Sequence, residues 1–343
     1  MFHRAFFFYK KKKPRKKEKT WRAIIKSSVL RRFSSFSWKR CGGGKIKRKV
    51  IRLAGKTLVV SLPSKWASKF NVKKGDEIDI EEGENKLIIT PQSELVQEKG
   101  QVDISGLEPM IKRVLGAFYK GGYDEVEVRF SSPEELETAQ DVIREEFIGY
   151  EVVYSGKNSI LVRNISKIEY GEYDNIQRRM FMVILTMAKE SLEAIKKNDA
   201  NWLKSIAFMD KDVNKYAVFC RRILNKKGYS LFKKTPPIYF IVEQLEKIAD
   251  SYRDICKSAR IKTLDDDIER IYAEINSFLN DFYELFYKFD MKRIADFGKK
   301  YYALKEKMEG LIKRKKETGI LLHLQSILEN VFDMNGALLI ARL

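Results

Sequence analysis

The chain has 343 residues, 44% of them hydrophobic, which is enough for two or three domains with cores of their own. It carries 67 Lys and Arg against 47 Asp and Glu, a net charge of +20, but the excess is concentrated. Residues 1–50 hold 19 of the basic residues and a single acid, Glu18, so 51–343 keeps 48 basic and 46 acidic residues and is almost neutral. Three cysteines (Cys41, Cys220, Cys256) without CxxC spacing and only two histidines (His3, His323) exclude a zinc finger, a disulfide framework and a Cys/His catalytic site. No apolar run approaches the ~18–20 residues that span a bilayer, and a cytoplasmic protein is expected.

Residues 1–44 combine an aromatic cluster with a block of like charge, FFFYKKKKPRKKEK. They lack the long apolar centre and small-residue cleavage site of a signal peptide. Two readings stay open: a basic disordered tail that contacts nucleic acid, or a stretch upstream of the true start. Patterned sequence begins abruptly after CGGG.

Residues 46–92 read as short strands around one short helix. TLVVSL places Leu58, Val60 and Leu62 on one face, EIDIE alternates strictly, and KLIIT follows the turn EGEN. Between them, PSKWASKFNV opens with Pro63 and sets Trp66 and Phe70 one helical turn apart, and KKGDE offers Gly75 for a turn with positive φ. So little apolar content makes a thin core, for which dimerisation is the usual remedy.

Residues 102–170 alternate helix and strand patterns, a small α+β segment with nothing catalytic in it. LEPMIKRVLGAFYKGG is a helix stopped by glycines, and YDEVEVRF puts Val126, Val128 and Phe130 on one face. SSPEELETAQDVIREEF starts with a Ser132 cap and Pro133 at the first helical position. YEVVYSG and SILVRNI then form a hairpin.

Residues 172–343 are helical throughout. Breaks near 198–200, 227–237, 262–265, 289–290 and 314–319 leave six helices of about 22–28 residues, the pattern of an antiparallel bundle. LEKIAD, at 245–250 on the third helix, returns as LENVFD at 328–333 on the sixth. The bundle therefore reads as two three-helix repeats, about 172–260 and 263–343. Glu246 and Asp250, four residues apart, share one side of a helix beside the stripe of Leu245, Ile248, Ala249, Tyr252 and Ile255; Glu329 and Asp333 sit likewise beside Leu328, Val331, Phe332 and Leu339. Such carboxylate pairs suit hard or borderline cations, and equally a solvated helix face. The methionines are expected as core fillers. The aromatic run FYELFYKF, 282–289, is wide enough to be a contact surface.

Two resemblances sharpen this reading. RKVIRLAGKTLVVSLPSKWASKFNVKKGDEIDI is similar to the AbrB/SpoVT/MazE family of swapped-hairpin, dimeric DNA-binding domains. The resemblance implies DNA contacts from Lys47, Arg48, Lys49, Arg52, Lys56, Lys65 and Lys69, which would bind phosphates with steep salt dependence. One departure is that 51–95 carries as many acidic as basic residues, seven of each. The helical part, through DKDVNKYAVFCRRIL and VEQLEKIADSYRDIC, resembles the PhoU family, whose third helices carry an E-x-x-x-D signature. An AbrB-like head on a PhoU-like bundle is the arrangement of archaeal phosphate-uptake regulators.

The expected fold class is thus multidomain α+β: a β-rich swapped-hairpin head, a small α+β middle segment and an all-α bundle of two three-helix repeats. The PhoU resemblance implies iron or zinc at Glu246, Asp250, Glu329 and Asp333. It adds Asp210 and Asp212 on the second helix of the first repeat, with Asn214 beside them. Setting Asp199 against Asp290 places these opposite Tyr301, Ala303 and Lys305, so the first repeat is the better metal candidate. No organic cofactor is implied. The function expected is a non-enzymatic, homodimeric regulator of phosphate uptake that binds operator DNA. The alternative is an adaptor that docks on a phosphate ABC transporter or a kinase partner and uses the head only to dimerise. A metal-dependent hydrolase finds no base, nucleophile or substrate pocket to name.

Overall fold

The computed structural model describes residues 46–53, 57–83, 86–91, 98–166, 170–229, 231–258, 264–314 and 319–343. The tail 1–44 and Lys56 lie outside the described residues. The chain divides into two compact units, the second starting at Glu77. No helix of the described residues is long and apolar enough to cross a membrane.

In the first unit, β1 (Ile51–Leu53) pairs antiparallel with β2 (Thr57–Val59), followed by α1 (Ser64–Lys69). Pro63 is the N-cap of α1 rather than its first residue. Trp66 and Phe70 meet as expected, ring centroids 5.0 Å apart. Gly75 has φ +97°, a turn conformation open to glycine.

The second unit begins with the hairpin β3 (Ile78–Gly83) and β4 (Lys86–Pro91). A four-stranded sheet follows, in the order β5 (Lys99–Asp103), β6 (Glu125–Arg129), β8 (Ser159–Asn164), β7 (Tyr150–Ser155). β5 and β6 run parallel, joined through α2 (Ile111–Lys120), and the other pairs are antiparallel. Alternation along β6 and β8 turns Val126, Val128, Ile160 and Val162 inward, against α2 and α3 (Pro133–Glu146). Ser132 closes a capping box with Glu135, whose carboxylate also takes the N–H groups of Gly106 and Ser131.

The remaining residues form helices α4 (Tyr170–Lys196), α5 (Ala200–Phe208), α6 (Asp210–Lys227), α7 (Thr235–Ser258), α8 (Asp266–Tyr287), α9 (Met291–Arg314) and α10 (Gly319–Arg342). The expected second helix is in two pieces, α5 and α6, meeting at Met209. Asp199 and Asp290 cap α5 and α9 through the N–H groups of Asn201, Trp202 and Lys292, which supports their equivalence in the two repeats. The two third helices, α7 and α10, pack along each other.

Two expectations need correction. The aromatic run is not an outer surface: Phe282, Leu285 and Phe286 are buried, and Phe282 and Phe286 pack on Phe181. Met180, Met187 and Met308 fill the core, but Met182 and Met291 are exposed, so the methionines are not one class.

The middle segment is joined to the bundle by α6. Val218 belongs to the segment's core, while its neighbours Ala217 and Phe219 belong to the bundle's. Arg222, fully buried, donates to the carbonyls of Tyr119 (2.8 Å) and Tyr123 (2.7 Å) and to Asp124 Oδ1 (3.0 Å). Its guanidinium lies 5.0 Å from the ring centre of Tyr119 and 5.2 Å from that of Tyr150. Asn225 donates to Lys120 O (2.8 Å), and Lys226 pairs with Asp124. At the end of α2 the Tyr119 carbonyl takes the Gly122 N–H (3.1 Å), and α6 adds side-chain donors to it and to the Lys120 carbonyl. Gly122, φ +92°, lets the chain turn away there with Lys226 packed against it.

Candidate functional site

In the N-terminal unit the basic residues expected to meet DNA lie on the extended approach to β1, on β1 and on α1. Lys47, Arg48, Lys49, Arg52, Lys65 and Lys69 are all exposed, and none has an acidic partner among the described residues. Lys69 leans over the Phe70 ring, 5.3 Å from its centre. Apolar side chains of the same strands are open as well: Ile51, Leu53, Leu58 and Val60 are each more than half exposed.

The acidic signature of the first repeat is on α7, where periodicity turns Leu245, Ile248, Ala249 and Tyr252 inward and leaves Glu246 and Asp250 at the border. Glu246 does not face water alone. Arg221 of α6, itself 4% exposed, donates to Glu246 and Glu243, and its Nε–H to Ala217 O (3.1 Å). Burial is the chief reason the Glu246 carboxyl is raised above the usual range; Arg221 opposes it, while Glu243 and Asp250 add to it. Lys120, lowered by burial and by Arg221, is a further cation at this border.

Two turns beyond Glu246, Arg253 gathers three carboxylates. It pairs with Asp250, with Asp210 Oδ2 (3.0 Å) and with Asp254 Oδ1 (2.9 Å). Burial opposes the charge on Arg253, but these carboxylates outweigh it and raise its pKa. Asp210 is 5% exposed and also accepts from Asn214 Nδ2 (3.0 Å). Its Oδ1 is buried with no donor among the described residues, and burial raises its pKa against the pull of Arg253. Asp210 and Arg253 border a cleft of about 1080 Å³ that also touches Lys112, Glu145, Phe208 and Lys257.

The second repeat builds its version differently. Tyr301 OH donates to Glu329 Oε2 (2.5 Å), and Lys305 Nζ approaches Glu329 Oε1 (3.3 Å). Burial raises the Tyr301 pKa, with Glu329 adding to it. Asp333 is exposed, with no ion pair among the described residues.

The structure therefore brings Asp210, Asp250 and Glu246 to one α6–α7 border and leaves Asp212 exposed outside this network. These donors do not fit iron or zinc. Glu246 and the Asp210–Asp250 pair each already hold a guanidinium, and the described residues contain no group of three or more Asp, Glu, His or Cys that could hold a metal ion. Sequence reasoning gave no role to Arg221 or Arg253. A usable signal was present: the charged pair in VFCRRIL interrupts a run whose other residues are apolar.

Comparisons with known proteins agree with the two resemblances. Residues 51–95 match the family model described as antidote-toxin recognition MazE, bacterial antitoxin. Residues 178–259 match the PhoU domain, which corresponds to the first repeat. Among solved structures, the phosphate transport system regulatory protein PhoU from Streptococcus pneumoniae aligns at 18% identity and TM-score 0.39, covering 49% of this chain and 93% of that one. No curated protein matches the chain.

Proposed function

We propose that this chain regulates phosphate uptake as a cytoplasmic homodimer that binds operator DNA through the segment around residues 46–92. The observation that carries the reading is the presence, in one chain, of a PhoU-domain match and a MazE-type match in which Arg52, Lys65 and Lys69 stand exposed and without an acidic partner among the described residues. Lys47, Arg48, Lys49, Arg52, Lys65 and Lys69 supply phosphate contacts, with Lys56 completing the set, and each neutralised phosphate releases counterions. The open apolar side chains Ile51, Leu53, Leu58 and Val60 favour a second copy as their cover. The helical bundle is the sensing part, and a change in it alters affinity for DNA.

The test is binding of the purified chain, with and without residues 1–44, to the DNA upstream of its own gene over a range of salt. Binding is expected at low salt, weakening steeply as salt rises. Arg52→Ala is expected to reduce the log–log salt slope by about one. Absence of binding at low salt rejects the regulator reading. A second reading, an adaptor that docks on a phosphate transporter or its kinase, is favoured by the seven acids that offset the seven bases of 51–95. Under it the chain remains a dimer and ignores DNA.

A further inference from the structure

We infer that the resident cation of the first repeat's acidic signature is a side chain and not a metal ion: Arg221 neutralises Glu246, Arg253 neutralises Asp210 while also holding Asp250, and the two pairs tie α6 to α7. This inference does not depend on the DNA-binding reading.

Both guanidinia are aimed before they meet the signature. Arg221 is held by its Nε–H on Ala217 O, and Arg253 by Asp254 on its own helix. Sorted by burial, the charges match. The two inward carboxylates are Glu246, whose side chain is 25% exposed, and Asp210, at 6%; they face one guanidinium each. The surplus acids, Glu243, Asp250 and Asp254, have side chains 34%, 42% and 40% exposed, where water screens them.

A divalent ion on the Glu246–Asp250 ridge would have to displace Arg221 from one carboxylate and Arg253 from the other. The displaced Arg221 would remain a buried cation beside a second cation. The orphan oxygen of this group, Asp210 Oδ1, is sealed from solvent, and one oxygen is no coordination set.

The second repeat reaches the same end by another route. There Lys305, from the second helix, meets Glu329 with Tyr301 between them. Lys305 corresponds to Asn214 and not to Arg221. Each repeat thus draws a cation from its second helix onto the signature Glu of its third, from positions that are not equivalent. This is the pattern expected when the need is for positive charge on that Glu rather than for one conserved ligand geometry.

The test uses the full chain. Metal content is measured by mass spectrometry on protein as purified, and again after incubation with Fe(II), Zn(II) or Mn(II) and desalting. Thermal midpoints are recorded with and without chelator. The expectation is metal well below one equivalent per chain and a midpoint indifferent to chelator. Arg253→Met is expected to lower the midpoint and to recover part of the loss on addition of Mn(II), because carboxylates stripped of their guanidinium then accept an ion. Arg253→Lys, which keeps the charge and is the fallback if the methionine variant does not fold, is expected to remain indifferent to Mn(II). Wild-type protein that holds one equivalent of metal, lost on Glu246→Gln, overturns the inference. So does metal-free wild type whose stability is unchanged by Arg253→Met.

Discussion

The junction at Arg222 gives the sharpest test of how the middle segment is held on the bundle. Replacing Arg222 by Ala removes a fully buried cation that makes hydrogen bonds of 2.8, 2.7 and 3.0 Å to Tyr119 O, Tyr123 O and Asp124 Oδ1. Asp124 would retain the Glu98 N–H (3.1 Å) and Lys226, while Tyr119 O at the end of α2 would lose its side-chain donor. Lys226 still compensates Asp124, so the cost falls on three lost hydrogen bonds from a charged, buried donor, together about 3–5 kcal/mol. The expected loss of unfolding free energy is therefore about 3–5 kcal/mol by urea denaturation. Faster amide exchange should appear first in the last turn of α2. Arg222→Met, which restores bulk without charge, should recover less than half of the loss. The double variant with Asp124→Ala should be less unstable than the sum of the singles by about 1–3 kcal/mol. A loss below about 1 kcal/mol, within the ordinary range for a point substitution, or strict additivity with Asp124→Ala, would contradict this account of the junction.

Three further outcomes follow from the same geometry. Ser132→Ala removes the side-chain half of the α3 capping box and should cost about 1 kcal/mol in denaturant unfolding. Phe282→Ala empties a fully buried position ringed by Phe181, Phe286 and Phe297 and should cost about 3–5 kcal/mol; a near-neutral result would return this aromatic run to the surface. Asp210 has a folded-state pKa raised by burial, so its ionised form works against folding above that pKa and the penalty fades as pH falls through it. The thermal midpoint of the wild type should accordingly gain on that of Asp210→Asn as pH falls from neutral towards the ordinary carboxylate range. Parallel midpoint curves would contradict the assignment.

Local features of the fold are legible in the amino-acid order because they depend on near neighbours along the chain. The glycines that end α2, the Ser132 cap, the Asp199 and Asp290 caps and the alternation of β6 each follow from a few consecutive residues. The repeated Leu-Glu signature reveals two repeats for the same reason: its place on the helical stripe is a matter of period. The break at Met209 and the burial of the 282–289 aromatics are not local, since both depend on what the rest of the bundle presents to them.

The roles of the arginines come from the packing of the helices. Arg221 and Arg222 are adjacent, yet each residue step along α6 turns the side chain by about 100°. Arg221 thus meets Glu246 on α7, while Arg222 enters the middle segment at Tyr119, Tyr123 and Asp124. Residue order alone shows that two charges interrupt an apolar run and that a carboxylate pair recurs in two helices. It does not determine that these charges find each other, because a long flexible side chain takes its direction from the packed helices around it.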